Sequence, residues 1–128
     1  EHEFAAVDAY QFLTDSEAKG LTFDMVIVDP PSLATSRTQR HSAIRAYTKL
    51  NTLAIKCVKE GGYLVSSSCT SQVSPNDFRQ ILTTAAAQSK SRLQVVRDVG
   101  HAWDHPVPPV FEEGRYLKFI IGRVTAVP

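Results

Sequence analysis

Four consecutive apolar residues, Met25-Val26-Ile27-Val28, run directly into Asp29-Pro30-Pro31, and a second run, Tyr63-Leu64-Val65, passes through three serines into Cys69-Thr70. An apolar run without alternation predicts a strand buried on both faces, as in a parallel sheet, since a strand with one wet face alternates apolar and polar residues. The two prolines after Asp29 cannot donate to a ladder, so the first strand must stop there. In open α/β sheets ligands bind beyond the carboxyl ends of the parallel strands. The two runs therefore predict an acid and a thiol delivered to one edge, where chemistry is usually done.

The rest of the chain alternates helix and strand patterns around these two runs. Residues 3–8 read as a short strand end, and Ala9-Tyr10-Gln11-Phe12-Leu13 opens a helix that Gly20 is suited to end. Residues 32–40 are polar and loop-like. Ile44, Tyr47, Leu50, Ala54 and Val58 then fall at helical spacing across residues 41–59, and Gly61-Gly62 is expected to end that helix and turn into the second strand. Ser74-Pro75-Asn76-Asp77 supplies a cap, a proline at the first helical position and an acid three residues after the cap, followed by an apolar stripe at Phe78, Ile81, Leu82 and Ala85. A strand at 93–96, a proline-rich loop at 101–113 and a final strand at 116–124 complete the pattern. The predicted fold is a single α/β domain over residues 1–128, its sheet mostly parallel with an antiparallel edge strand and its helices on both faces.

Composition narrows the partners and the setting. A hydrophobic share of 43% and a charged share of 21% suit one soluble domain, and a net charge of +1 neither supports nor excludes nucleic acid. Cys57 and Cys69 lie twelve positions apart with no CxxC or Cys/His ligand spacing, so neither a metal site nor a disulfide framework is expected, and a reducing, cytoplasmic setting fits best. No apolar stretch approaches the roughly 20 residues that span a bilayer, and no membrane partner is expected.

Five segments in this order carry a family resemblance: Asp8-Ala9-Tyr10-Gln11-Phe12-Leu13, residues 23–32 ending in Asp29-Pro30-Pro31-Ser32, residues 61–70 ending in Ser68-Cys69-Thr70, Asp104-His105-Pro106-Val107, and Tyr116-Leu117-Lys118. Together they resemble the Rossmann-like S-adenosylmethionine-dependent methyltransferases, and more narrowly the large-subunit ribosomal RNA cytosine-C5 methyltransferases. The resemblance implies S-adenosyl-L-methionine as cofactor and ribosomal RNA as partner. The family's glycine-rich cofactor loop, the acid ending its second strand and its upstream RNA-binding domain are not in this sequence. The expectation is therefore the C-terminal part of a longer enzyme, inactive when isolated.

Carried over residue by residue, the resemblance makes Cys69 the nucleophile that adds to C6 of the pyrimidine, because C5 is too weak a nucleophile without a covalent thiolate adduct. The plain alternative is a buried structural cysteine. Asp29 would hydrogen-bond the base and, with Pro30, border the cofactor. Its alternative is a cap on the following turn. Asp8 would accept from the adenine amino group and Ala9 would offer a backbone N–H beside it, although an aspartate there also suits a helix N-cap. Pro31, Ser32, Asp104, His105 and Lys118 are the candidate substrate contacts, Lys118 meeting phosphate or pairing with Glu113, and Arg37, Arg40, Arg45 and Lys49 could touch an RNA backbone. Competing readings are a Rossmann-like methyltransferase with another substrate, and a non-catalytic α/β association module that dimerises through an exposed sheet edge.

Overall fold

The computed structural model describes residues 1–128 as α1 (Ala9–Ala18), β1 (Phe23–Val28), α2 (Arg40–Lys56), β2 (Val58–Ser68), α3 (Pro75–Gln88), β3 (Ser91–Val99) and β4 (Lys118–Ala126), with 3-10 turns at Arg37–Gln39 and Glu112–Gly114. The local signals act as their chemistry dictates. Asp8 accepts from the Gln11 backbone N–H at 2.9 Å to cap α1, and Gly20 follows the helix with φ +66°. At α3, Ser74 and Asp77 exchange side-chain and backbone bonds at 3.0 Å, with Pro75 at the first helical position. Phe78, Ile81, Leu82 and Ala85 form its buried stripe.

The strand order is β1-β2-β4-β3, with β1 and β2 parallel and β4 antiparallel to both of its neighbours. Three of the four strands thus run one way. The reversed strand was expected at the edge but lies inside the sheet. The crossover through α3 carries β3 one place past β2, and the chain leaves β3 at the same end where β2 finishes. Only a strand running backwards can fill that slot.

The helices expected on both faces occupy one. Right-handed crossovers that keep stepping in the same direction along a sheet put their helices on the same side. Leu13 of α1, Tyr47, Leu50 and Ala54 of α2, and Phe78 and Ile81 of α3 share one core with Val28, Leu64, Ile120 and Val124 of the sheet. The opposite face carries Met25, Ile27 and Tyr63, which are exposed, so β1 is buried on one side rather than two. An apolar run does not reveal which of its faces is covered.

The strands expected at 93–96 and 116–124 run Ser91–Val99 and Lys118–Ala126, and two larger expectations fail. Residues 3–8 form no strand, having no neighbour to bond, and Phe4 and Val7 stand in solvent. The second helix ends at Lys56, and Gly61-Gly62 lies within β2 instead of stopping the helix. There the register slips, Phe23 facing Val58 and Met25 facing Tyr63, so the extra β2 residues bulge out. Gly61 has φ +77°, and a Cβ on Gly62 would lie 2.7 Å from the Asp24 carbonyl oxygen.

Candidate active site

Val28 pairs with Ser66, so the next residue of each strand leaves the sheet beside the other. The Ser67 hydroxyl donates to Asp29 Oδ1 at 2.5 Å, which ties the acid to the strand that leads to Cys69. Cys69 is a free, half-buried thiol two residues further on. Cys57, by contrast, is fully buried, its thiol 3.5 Å from the Leu13 carbonyl oxygen and pushed up in pKa chiefly by burial. The two cysteines therefore differ in access to solvent, the first requirement for a reactive thiol.

The residue after Cys69 fastens this edge together. Thr70 has no exposed surface, and its hydroxyl oxygen accepts from the Leu33 backbone N–H at 3.0 Å, meets the Tyr47 hydroxyl at 2.7 Å and lies 3.3 Å from the Ser32 hydroxyl. One side chain thereby joins the loop after the double proline, the middle of α2 and the end of β2. Ser32 also donates to the Ala34 carbonyl oxygen at 3.0 Å, so this candidate substrate contact spends its hydroxyl on the shape of its own loop. Below the site, Ser66 donates to Asn51 Oδ1 at 2.7 Å, both buried, which fixes α2 against β2.

Lys118 departs most from expectation. It neither faces solvent nor pairs with Glu113. Its Nζ is buried, donating to the carbonyl oxygens of Thr70 at 2.7 Å and Tyr116 at 2.6 Å. Backbone carbonyls at the frayed ends of β2 and β4 need donors, and a long ammonium stem supplies two. Burial lowers the Lys118 pKa to about 8, with the nearby Cys69 and Asp77 opposing the drop. Asp77 in turn pairs with Arg40 at 2.6 Å. Burial works to raise the Asp77 carboxyl, but donation from the Ser74 backbone, from Arg40 and from the Ser74 hydroxyl outweighs it and holds the group below its usual range.

Two cavities flank the edge. Ala9, Phe12, Ile27, Asp29, Pro30 and Leu50 line one of about 280 Å³, so three of the four residues expected at the cofactor share a single hollow between α1 and β1. Asp8 stands at the start of α1 next to it with Oδ1 occupied by the cap. On the β3 side, His101, His105, Arg115 and Leu117 line a second cavity of about 390 Å³. His105 Nδ1 lies 3.4 Å from Asp104 Oδ1, both in solvent, on the loop that joins β3 to β4 at the Cys69 end of the sheet. Pro31 is exposed beside Ser32. Of the basic residues expected near RNA, Arg40 is engaged by Asp77 and Lys49 sits 5.2 Å over the Tyr10 ring.

Sequence reasoning missed Ser67, Thr70 and Tyr47. The run of serines before Cys69 was a signal for Ser67, since a hydroxyl in a strand end needs a partner. Nothing in the spacing of Tyr47 separated it from the rest of an apolar helix stripe.

No protein-family model matches the chain. It is 38% identical over 122 residues to ribosomal RNA large subunit methyltransferase I of Yersinia pestis (strain Angola), and 33% identical over 117 residues to the protein of that name from Shewanella denitrificans. These alignments cover 95% and 91% of the chain but only 31% and 30% of the relatives. Among solved structures, SMU.776 complexed with SAH superposes with a TM-score of 0.74 at 20% identity, covering 91% of this chain and 30% of that one. The structure of NSun6 from Pyrococcus horikoshii with SFG gives a TM-score of 0.62 at 18% identity, covering 98% and 35%. The chain has a Rossmann-like methyltransferase fold. Its four-stranded sheet carries Asp29 and Cys69 at the ends of neighbouring strands. No helix is long and apolar enough to cross a membrane.

Proposed function

We propose that residues 1–128 form part of the catalytic domain of a longer S-adenosyl-L-methionine-dependent RNA methyltransferase that methylates C5 of a cytosine in large-subunit ribosomal RNA. The observation that carries this reading is the pairing of Asp29 with Ser67 at the ends of adjacent parallel strands, two residues before the half-buried thiol of Cys69. The two ribosomal RNA methyltransferase relatives support the substrate class. The hollow lined by Ala9, Asp29 and Pro30, with the Asp8 carboxylate beside it, suits the adenosine end of the cofactor: an apolar wall for a flat ring and an acceptor for its amino group. When bound, the cofactor supplies the methyl group.

The chain's own residues would act in sequence. The Cys69 thiolate adds to C6 of cytosine, forming a C–S bond and making C5 electron-rich enough to accept the methyl group. Asp29, with Oδ1 held by Ser67, keeps Oδ2 for a donor on the base. Asp104 and His105, on the loop at the same edge, are placed in this reading against the base, where one takes the C5 proton. The electron pair left by that proton restores the ring and expels Cys69 as thiolate. Pro31 and Ser32 form the wall beside the base.

The test is incubation of the full-length protein with RNA containing 5-fluorocytosine. Fluorine at C5 cannot leave as a proton does, so a Cys69 adduct should accumulate and survive denaturing electrophoresis. Normal methylation by a Cys69→Ala variant would overturn the nucleophile assignment, and mass spectrometry of the product identifies the base. A second reading is favoured by one observation: β1 has a neighbour on one side only, beside exposed Met25 and Ile27. In that reading this chain by itself associates in pairs through β1, and sedimentation at rising concentration tests it.

A further inference from the structure

We infer that Lys118 is a positioning residue for Cys69: its ammonium clamps the turn that carries the thiol and supplies the positive charge against which the thiolate forms. This rests on the reading of Cys69 as nucleophile. Three observations meet at one place. Lys118 pairs with Ser68 across β2 and β4, so its backbone is fixed opposite the residue before Cys69. Its Nζ returns to the carbonyl oxygen of Thr70, the residue after Cys69, and bridges to Tyr116 in its own approach loop. The side chain has almost no exposed surface.

A lysine is seldom buried without a full ion pair, because desolvating an ammonium costs more than two neutral carbonyls return. The ionisable groups whose charge is felt at Lys118 are Cys69 after β2 and Asp77 in the first turn of α3, which is already paired with Arg40 of α2, while the contacts of Nζ itself are the carbonyl oxygens of Thr70 and Tyr116. A thiolate at Cys69 is thus the anion that would complete the site. The lowered pKa of Lys118 agrees with a cation short of a counter-charge. In the uncharged thiol state the ammonium holds only carbonyls. When the thiolate forms, the ammonium is already held on the turn that carries it, through the carbonyl oxygen of Thr70, which is the preorganisation a nucleophile requires.

The experiment reads the thiol directly and needs neither RNA nor methyl donor, so it can fail while the methyltransferase reading stands. Iodoacetamide alkylation of Cys69 is followed by peptide mass spectrometry across pH 6–9 in the chain and in Lys118→Ala. Loss of an adjacent positive charge should slow alkylation at pH 7 about tenfold or more. Propylammonium, which can occupy the space left by the lysine stem, should restore the rate, and propanol should not. Unchanged alkylation in Lys118→Ala, or equal rescue by propanol, would overturn the proposal. Buried Cys57 reports folding in the same spectra. If it becomes reactive in Lys118→Ala, the comparison passes to Lys118→Met, which keeps the volume and lacks the charge: slowed alkylation there supports the inference and an unchanged rate overturns it.

Discussion

The hydroxyls of Tyr47 and Thr70 lie 2.7 Å apart with neither side chain exposed, one in the middle of α2 and the other immediately after Cys69. Since Thr70 also accepts from Leu33 N–H, the position of the cysteine turn is coupled to the helix core and to the loop after Pro31. Thr70→Val keeps the shape and removes every one of these bonds, leaving the Leu33 N–H and the buried Tyr47 hydroxyl without this partner. It should cost about 2–3 kcal/mol in urea unfolding, against about 1 kcal/mol for Tyr47→Phe, and the double variant should cost less than the sum.

Ser67→Ala removes the donor to Asp29 Oδ1 without disturbing the core. The free energy of unfolding should fall by only about 0.5–1.5 kcal/mol, so the chain stays folded. Single-turnover methyl transfer by the full-length protein should fall about tenfold, the equivalent of one ordinary hydrogen bond to a charged group. Unchanged turnover would mean that Asp29 needs no orientation from β2.

The Lys118 amine is depressed to about 8 in the folded chain and returns to its ordinary value of 10.5 on unfolding. Between these values the unfolded state binds more protons, so stability should rise with pH, by about 1 kcal/mol from pH 8 to 9. Above pH 9 the raised Cys57 thiol opposes this, because the unfolded thiol ionises first. Urea titrations at pH 8 and 9 check the sign, and Lys118→Met should flatten the rise.

Gly62→Ala places a Cβ 2.7 Å from the Asp24 carbonyl oxygen and 2.9 Å from Val58 Cγ1. Neither neighbour is a flexible tip, so the β2 bulge must open, at a cost of about 1–3 kcal/mol in thermal or urea unfolding. A milder effect would show that the bulge absorbs the change.

The elements that were legible in the sequence are those with local causes. The Asp8 and Ser74 caps, the stop at Pro30 and the stripe from Phe78 to Ala85 each depend on residues within one or two turns. What escaped depends on distant partners. Gly61-Gly62 is the same dipeptide whether it ends a helix or kinks a strand, and the contact with Asp24 decides it. Met25 and Ile27 carry no mark of the face left open. At the site, Asp29 and Cys69 were visible because strand ends advertise themselves, whereas Lys118 looked like any basic residue near a loop until β4 turned out to run between β2 and β3.

That inner position of β4 orders events during synthesis. β2 is complete at Ser68, yet the strand that covers its free side begins fifty residues later, at Lys118. While the ribosome makes residues 69–117, one whole edge of β2 has no partner, and non-local pairings of this kind form slowly. The Cys69 turn cannot be locked until Lys118 has emerged, so the segment that carries the thiol is among the last parts of the chain to mature, and a nascent chain stalled in the 100–117 loop would present an open edge to any neighbouring strand.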